Sequence, residues 1–150
     1  DGGRNAIALV DAASGEIRTA LAPDARGYAD PEFTSDGRTL VFTSDRTGRE
    51  EIWIADERGR NAKKLTDSDT EKLSMIWAPD SKSLAYSASD HKLRQVEIEG
   101  GKTEEIASSE AGNITGPQFS PDGSKLALTI MDGTRIAFGF MSGRAMRYPD

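Results

Sequence analysis

The sequence predicts an all-β fold in which a four-stranded antiparallel unit recurs along the chain. Three observations carry this reading. First, three segments align without gaps: Pro31 to Gly37 (PEFTSDG), Met75 to Ser81 (MIWAPDS) and Pro117 to Gly123 (PQFSPDG), with the aromatic anchors Phe33, Trp77 and Phe119 spaced 44 and 42 residues apart. Second, apolar residues after each anchor alternate with the period of two expected of strands, as in Leu40-Val41-Phe42 and Ile52-Trp53-Ile54. Third, Asp, Gly, Ser and Pro cluster between the alternating runs, where proline presets φ, aspartate bonds its own backbone and glycine tolerates positive φ. A period of about 43 residues with four strands per unit is that of a β-propeller blade.

The elements follow in order. The anchor lies on the first strand. Seven residues later the second strand begins its apolar pair: Leu40 and Phe42, Leu84 and Tyr86, Leu126 and Leu128. The third strand carries Ile52, Leu93 and Ile136, and the fourth carries Leu65 and Ile106. The start of the chain fits the same frame, with Ile7 and Asp11 in third-strand positions and Leu21 in the fourth. At the other end Met146 and Tyr148 fall where a fourth strand is due, although the motif there is weak. The expected divisions are a blade remnant at 1–27 and blades at 28–71, 72–113 and 114–150. No stretch has convincing helical periodicity. A blade cannot bury both faces alone, so Phe33, Trp77 and Phe119 are expected to plug the gaps between blades. Truncating such a plug to alanine costs about 3–5 kcal/mol.

At 150 residues and 16.2 kDa the chain has the length of one ordinary domain. At this period, however, it holds about 3.5 blades, whereas closed propellers have roughly 4–8. It is therefore expected to be part of a longer propeller chain or to self-associate to complete the ring. Leu, Ile, Val and Phe make up only 27 of 150 residues, a fraction that suits thin sheets stacked side by side. The net charge of −6 argues against a nucleic-acid binder. No apolar run approaches the roughly 20 residues of a membrane helix. The absence of cysteine excludes disulfides and thiolate chemistry, and a single histidine excludes a His-cluster metal site within one chain.

Residues 31–66 (PEFTSDGRTLVFTSDRTGREEIWIADERGRNAKKLT) carry an aromatic-Ser-Asp-Gly turn, Ser44-Asp45 with Gly48, a strand ending in Asp56, a Gly59 turn and Leu65-Thr66. This resembles the propeller repeat of TolB, of tricorn-type proteases and of dipeptidyl-peptidase propellers. Residues 72–107 look most like tricorn-type repeats, whereas the last blade departs, with Phe138-Gly139-Phe140 where the strand-ending aspartate belongs. The resemblance implies a propeller fold. It maps no catalytic residue onto this chain, because the nucleophile of the related peptidases sits in a separate domain. A TolB-like placement favours the periplasm over the cytoplasm.

Asp36, Asp80 and Asp122 recur at one offset, and the residue types favour turn-forming carboxylates over a metal or acid–base site. His91 follows Asp90 between two strands, and there is no Gly-x-Ser-x-Gly elbow to accompany it. The segment 45–51 (DRTGREE) mixes charges and reads as a solvated turn, with anion recognition as the rival reading. No catalytic residue, cofactor or metal site is expected. The turn from first to second strand keeps its length, but the span from second to third strand does not: ten residues from Phe42 to Ile52, seven from Tyr86 to Leu93 and eight from Leu128 to Ile136. In a propeller these variable loops share a face with the blade-to-blade crossovers. That face, with Tyr28, Asp30, Arg46, Arg49, Glu71, Lys72, His91 and Asn113, is the candidate surface for a protein or peptide partner. The expected function is a non-catalytic binding scaffold. The alternatives are a substrate-filtering propeller of a larger serine peptidase and a lyase or hydrolase with its site in the central channel.

Overall fold

The computed structural model describes residues 5–22 and 27–132, and the backbone of 136–142 and 145–147. All regular structure among them is β. A hairpin of β1 (Ile7–Val10) and β2 (Ile17–Leu21) is followed by three four-stranded sheets. The first sheet contains β3 (Tyr28–Phe33), β4 (Thr39–Ser44), β5 (Glu51–Asp56) and β6 (Lys63–Lys64). The second contains β7 (Lys72–Trp77), β8 (Ser83–Ala88), β9 (Lys92–Glu97) and β10 (Thr103–Ser108). The third contains β11 (Asn113–Phe119), β12 (Lys125–Met131), β13 (Ile136–Ser142) and β14 (Ala145–Arg147). Neighbours in sequence are neighbours in each sheet and run antiparallel, which is the meander of a propeller blade. The weak fourth strand of the last blade does form: Met146 pairs with Met141. Tyr148 lies outside the described residues.

The repeated turn has one chemistry. Gly37, Ser81 and Gly123 donate their backbone N–H to the carbonyls of Thr34, Ala78 and Ser120 at 2.8–2.9 Å. The aspartate before each accepts the amide two residues on: Arg38, Lys82 and Ser124 at 2.9–3.0 Å. Each turn then needs a left-handed residue, with φ of 69° at Gly37, 57° at Ser81 and 70° at Gly123. All three first strands bulge before the anchor, between Ala29 and Glu32, Lys72 and Ser74, and Thr115 and Gln118. At the first and third of these bulges, Asp30 and Gly116 take positive φ just ahead of a proline.

The chain forms two compact units, residues 1–69 and 70–150. In the first, Ile7 and Leu21 of the hairpin join Tyr28, Leu40, Phe42, Trp53 and Ala55 in one buried cluster. In the second, Leu93 joins Ile114, Leu126, Leu128 and Ile130. The three anchors fare differently. Trp77 is buried, and Phe119 is half-buried against the second cluster. Phe33 is exposed at 39 %, against the expectation that it plugs a gap. The reason is the width of what stands beside it. β11, which carries Phe119, packs against β7, β8 and β9 of a full sheet, whereas among the described residues the sheet carrying Phe33 has only the two-stranded hairpin as its preceding neighbour within its unit.

Candidate partner-binding face

In the first and second sheets the crossover and the second-to-third loop meet at one end, whereas residues 133–135 of the third sheet's loop lie outside the described residues. In the first unit, Gly27 N–H donates to the Asp45 carboxylate at 2.8 Å, and Ser44 Oγ donates to the Gly27 carbonyl at 2.9 Å. In the second, Ser89 N–H donates to the Glu71 carbonyl at 2.9 Å and Ser109 N–H to the His91 carbonyl at 3.0 Å. These bonds gather Glu71, the 89–91 loop and the end of β10 into one edge of the blade.

The eight candidate residues divide by exposure. Asp30, Arg49, Glu71 and His91 are exposed, and Arg46 and Asn113 are half-buried. Tyr28 and Lys72 are buried. Tyr28 packs edge-on against Phe42 with ring centroids 5.8 Å apart, its hydroxyl donates to the Ala22 carbonyl, and Asn5 bonds both its amide and its carbonyl. Arg46 reaches inward, not out to solvent. Its guanidinium carbon lies 4.7 Å from the Trp53 ring centroid, 5.1 Å from that of Tyr28 and 5.9 Å from that of Phe42. The Lys72 ammonium donates to the Thr70 carbonyl at 2.9 Å. Arg49 is ion-paired with Asp69.

The segment 45–51 is therefore not simply a solvated turn. Residues 47–49 are exposed, but Glu51 is only 2 % exposed at the start of β5. Its carboxylate accepts the Thr66 hydroxyl and the Ser68 amide, while Thr66 Oγ1 accepts the Ile52 amide at 3.0 Å. The Leu65-Thr66 step of the repeat is the signal in the sequence: its threonine ties the start of β5 to the segment just past β6. The cleft beside Glu51 is lined by Arg49 and Lys64, and Lys64 is paired with Asp67 at 2.8 Å. Its basic residues face acidic partners, which weakens the case for anion recognition.

The recurring acids are tied into turns. Asp122 has its carboxyl held down to about 2, mainly by the Ser120 hydroxyl at 2.6 Å and then by the amide and hydroxyl of Ser124. Asp36 is lowered by the Thr34 hydroxyl and the Arg38 amide. Next to His91, the Asp90 carboxylate takes both terminal nitrogens of Arg94, so it does not face the histidine as an orienting acid. Among the described residues, no group of three His, Cys, Asp or Glu side chains is arranged to hold a metal.

No protein-family model matches the chain. Sequence relatives do. The uncharacterized peptidase YuxL of Bacillus subtilis is 34 % identical over 98 residues, 65 % of this chain and 15 % of that protein. The Tol-Pal system protein TolB of Nitratidesulfovibrio vulgaris is 29 % identical over 63 % of this chain and 22 % of its own length. Tricorn protease homolog 1 of Streptomyces coelicolor is 30 % identical over 83 % of this chain and 12 % of its own. Among solved structures, TolB from Acinetobacter baumannii superposes with a TM-score of 0.75 over 97 % of this chain and 37 % of that one, at 22 % identity. A prolyl endopeptidase superposes with 0.76 at 14 % identity, covering 97 % of this chain and 26 % of that one.

The chain is a TolB-like and tricorn-like β-propeller repeat region. The propeller region spans well under half of each of these relatives. At the level of fold its likeness reaches further solved structures: an oligogalacturonate lyase from Vibrio parahaemolyticus with a TM-score of 0.74 at 17 % identity (97 % of this chain, 46 % of that one), and a nidogen/laminin complex with 0.71 at 18 % (91 % and 52 %).

Proposed function

We propose that this propeller region is a non-catalytic scaffold that binds a protein or peptide partner at the blade ends where crossovers meet the second-to-third loops. One observation carries the reading. The acids that the repeat keeps are tied into turns by short hydrogen bonds, while the blade ends that vary in length present Asp30, Arg49, Glu71 and His91 to solvent. A scaffold holds its turns constant and lets its contact loops differ. A Tol-Pal system protein and a nidogen/laminin complex among the similar proteins support a binding role.

A partner trapped by a photo-crosslinking residue at position 91 can be titrated against substituted chains. Glu71→Lys and His91→Glu should each weaken binding, and Lys82→Glu, in the turn at the opposite end of the same sheet, should not. Affinity indifferent to the first two, or lowered equally by the third, overturns the face assignment. Turnover of a peptide or an oligosaccharide by the isolated chain overturns the non-catalytic role.

The second reading is a substrate-filtering propeller of a larger serine peptidase. The observation favouring it is the 34 % identity to a peptidase of which this chain spans 15 %. A hydrolase domain encoded in the same gene, with peptide size selectivity lost when the propeller is removed, is the outcome that favours it over the first.

A further inference from the structure

At the blade end of the second unit, several hydrogen-bond acceptors lack a donor. Glu71 and Glu110 are exposed, and their carboxylates enter no ion pair or hydrogen bond among the described residues. Asn113 is half-buried, and its Oδ1 is enclosed yet accepts no hydrogen bond among them. An enclosed acceptor without a donor is costly, and a donor brought by a ligand removes that cost.

The backbone holds these groups on one edge. Glu71 leads into β7 and Asn113 opens β11, and β11 packs against β7. Ser109 N–H donates to the His91 carbonyl, and Ala111 N–H donates to the Ser109 hydroxyl at 3.2 Å, so the crossover bearing Glu110 is fastened to the 89–91 loop. Gly112 brings that crossover so close to the end of β12 that a Cβ there would lie 2.1 Å from the Met131 carbonyl oxygen. Two apolar side chains complete the edge: Leu73, 36 % exposed, and Met131, 46 % exposed and opposite Asn113 in register. The cations nearby are already engaged. Lys72 is buried with its ammonium on the Thr70 carbonyl, Lys92 pairs with Glu105 at 2.7 Å, and Arg94 is paired with Asp90. The edge therefore offers acceptors and aliphatic surface, and what it lacks is a donor.

We infer that the blade end of the second unit binds a peptide segment through an arginine set beside an aliphatic residue. A guanidinium carries five donors in a planar fork, so it can meet a carboxylate and the Asn113 amide oxygen together, whereas an ammonium acts as a point charge. The aliphatic neighbour covers Leu73 and Met131. Opposite charge steers such a segment to Glu71 and Glu110 and turns an acidic one away. This inference rests on the blade-end reading above and names the chemistry of its partner.

The probe is a synthetic hexapeptide, acetyl-Gly-Leu-Arg-Leu-Arg-Gly-amide, titrated into the 150-residue chain and followed by NMR. It should shift the backbone amides of Glu71 to Leu73, Ser89 to His91 and Glu110 to Asn113. Replacing its arginines by citrulline, which keeps the shape and removes the charge, should weaken binding about tenfold. Glu71→Gln combined with Glu110→Gln, conservative changes at exposed positions, should cause the same loss. Asn113→Leu should weaken the arginine peptide about threefold, with Met131→Ser as a second variant if the first disturbs β11. Glu99→Gln, exposed in the turn between β9 and β10 at the other end of the sheet, should leave affinity unchanged. Equal blade-end shifts with the arginine and citrulline peptides, or affinity indifferent to the paired glutamine substitutions, overturn the inference and leave the blade-end reading standing. Arginine-dependent shifts confined to the cleft lined by Asp80, Glu97 and Glu99 overturn both. No shift at millimolar peptide overturns the inference, and the crosslinking titration then decides the blade-end reading by itself.

Discussion

Arg46 donates a hydrogen bond to the Tyr28 hydroxyl at 2.8 Å while its guanidinium lies 4.7 Å from the centroid of Trp53. The cation is held among three rings where the 45–50 loop leaves β4, so this loop is anchored at its base and presents only residues 47–49. Arg46→Ala removes both the cation–π contacts and the packed aliphatic stem, and should cost about 1–3 kcal/mol in urea unfolding. Arg46→Lys should fall between the two, because an ammonium lacks the planar stack. Equal stability of all three proteins would show that the cage is loose in solution.

Gly59 is constrained twice. Its φ is 75°, and a Cβ there would meet the Ala20 carbonyl oxygen at 2.7 Å and the Ala20 Cβ at 2.8 Å. Gly37, with φ of 69°, has open space around it. Gly37→Ala should therefore cost only the backbone strain, about 1 kcal/mol, and Gly59→Ala about 2–4 kcal/mol. Because Ala20 lies on β2, the second substitution should also loosen the hairpin, which hydrogen exchange at Ile7 to Val10 would report.

Ser81 holds a left-handed turn position that its counterparts fill with glycine. Ser81→Gly relieves that strain and should raise stability by about 0.5–1 kcal/mol, with part of the gain offset by the entropy of the freer unfolded chain. A lowered unfolding midpoint would mean that the serine side chain contributes more to the turn than its backbone costs.

Acid should weaken the turns in a defined window. Asp11, Asp36, Asp56 and Asp122 all have carboxyls below their ordinary value because amides and hydroxyls bond the ionised form. A folded-state value below the unfolded one gives stability that is present above the unfolded pKa of 3.8 and lost as pH falls through the folded value, about 2 for Asp122. Urea midpoints should therefore fall between pH 4 and 2. Asp122→Asn should flatten that slope, and an unchanged slope would remove Asp122 from the account.

Much of this architecture could be read from residue order because the physics involved is local. The turn at Asp36-Gly37 is fixed by a carboxylate two residues from the amide it accepts and by a residue free to take positive φ. The match between Asp11 and Asp56 at the two turns follows from the same short-range bonds. The candidate face was less legible. The sequence places Tyr28 and Lys72 at a surface and Glu51 in a solvated turn, whereas Tyr28 and Lys72 are buried and Glu51 is nearly inaccessible.

Sequence by itself determined the repeat, the strands and the turns, since each depends on neighbours within a few residues. Only the tertiary structure decided which side of each strand is covered. Phe33 and Phe119 occupy the same place in the repeat, yet one is exposed and the other packs on a core cluster. Burial follows the width of the adjacent sheet: among the described residues, two strands precede the first anchor within its unit and four precede the last in its own.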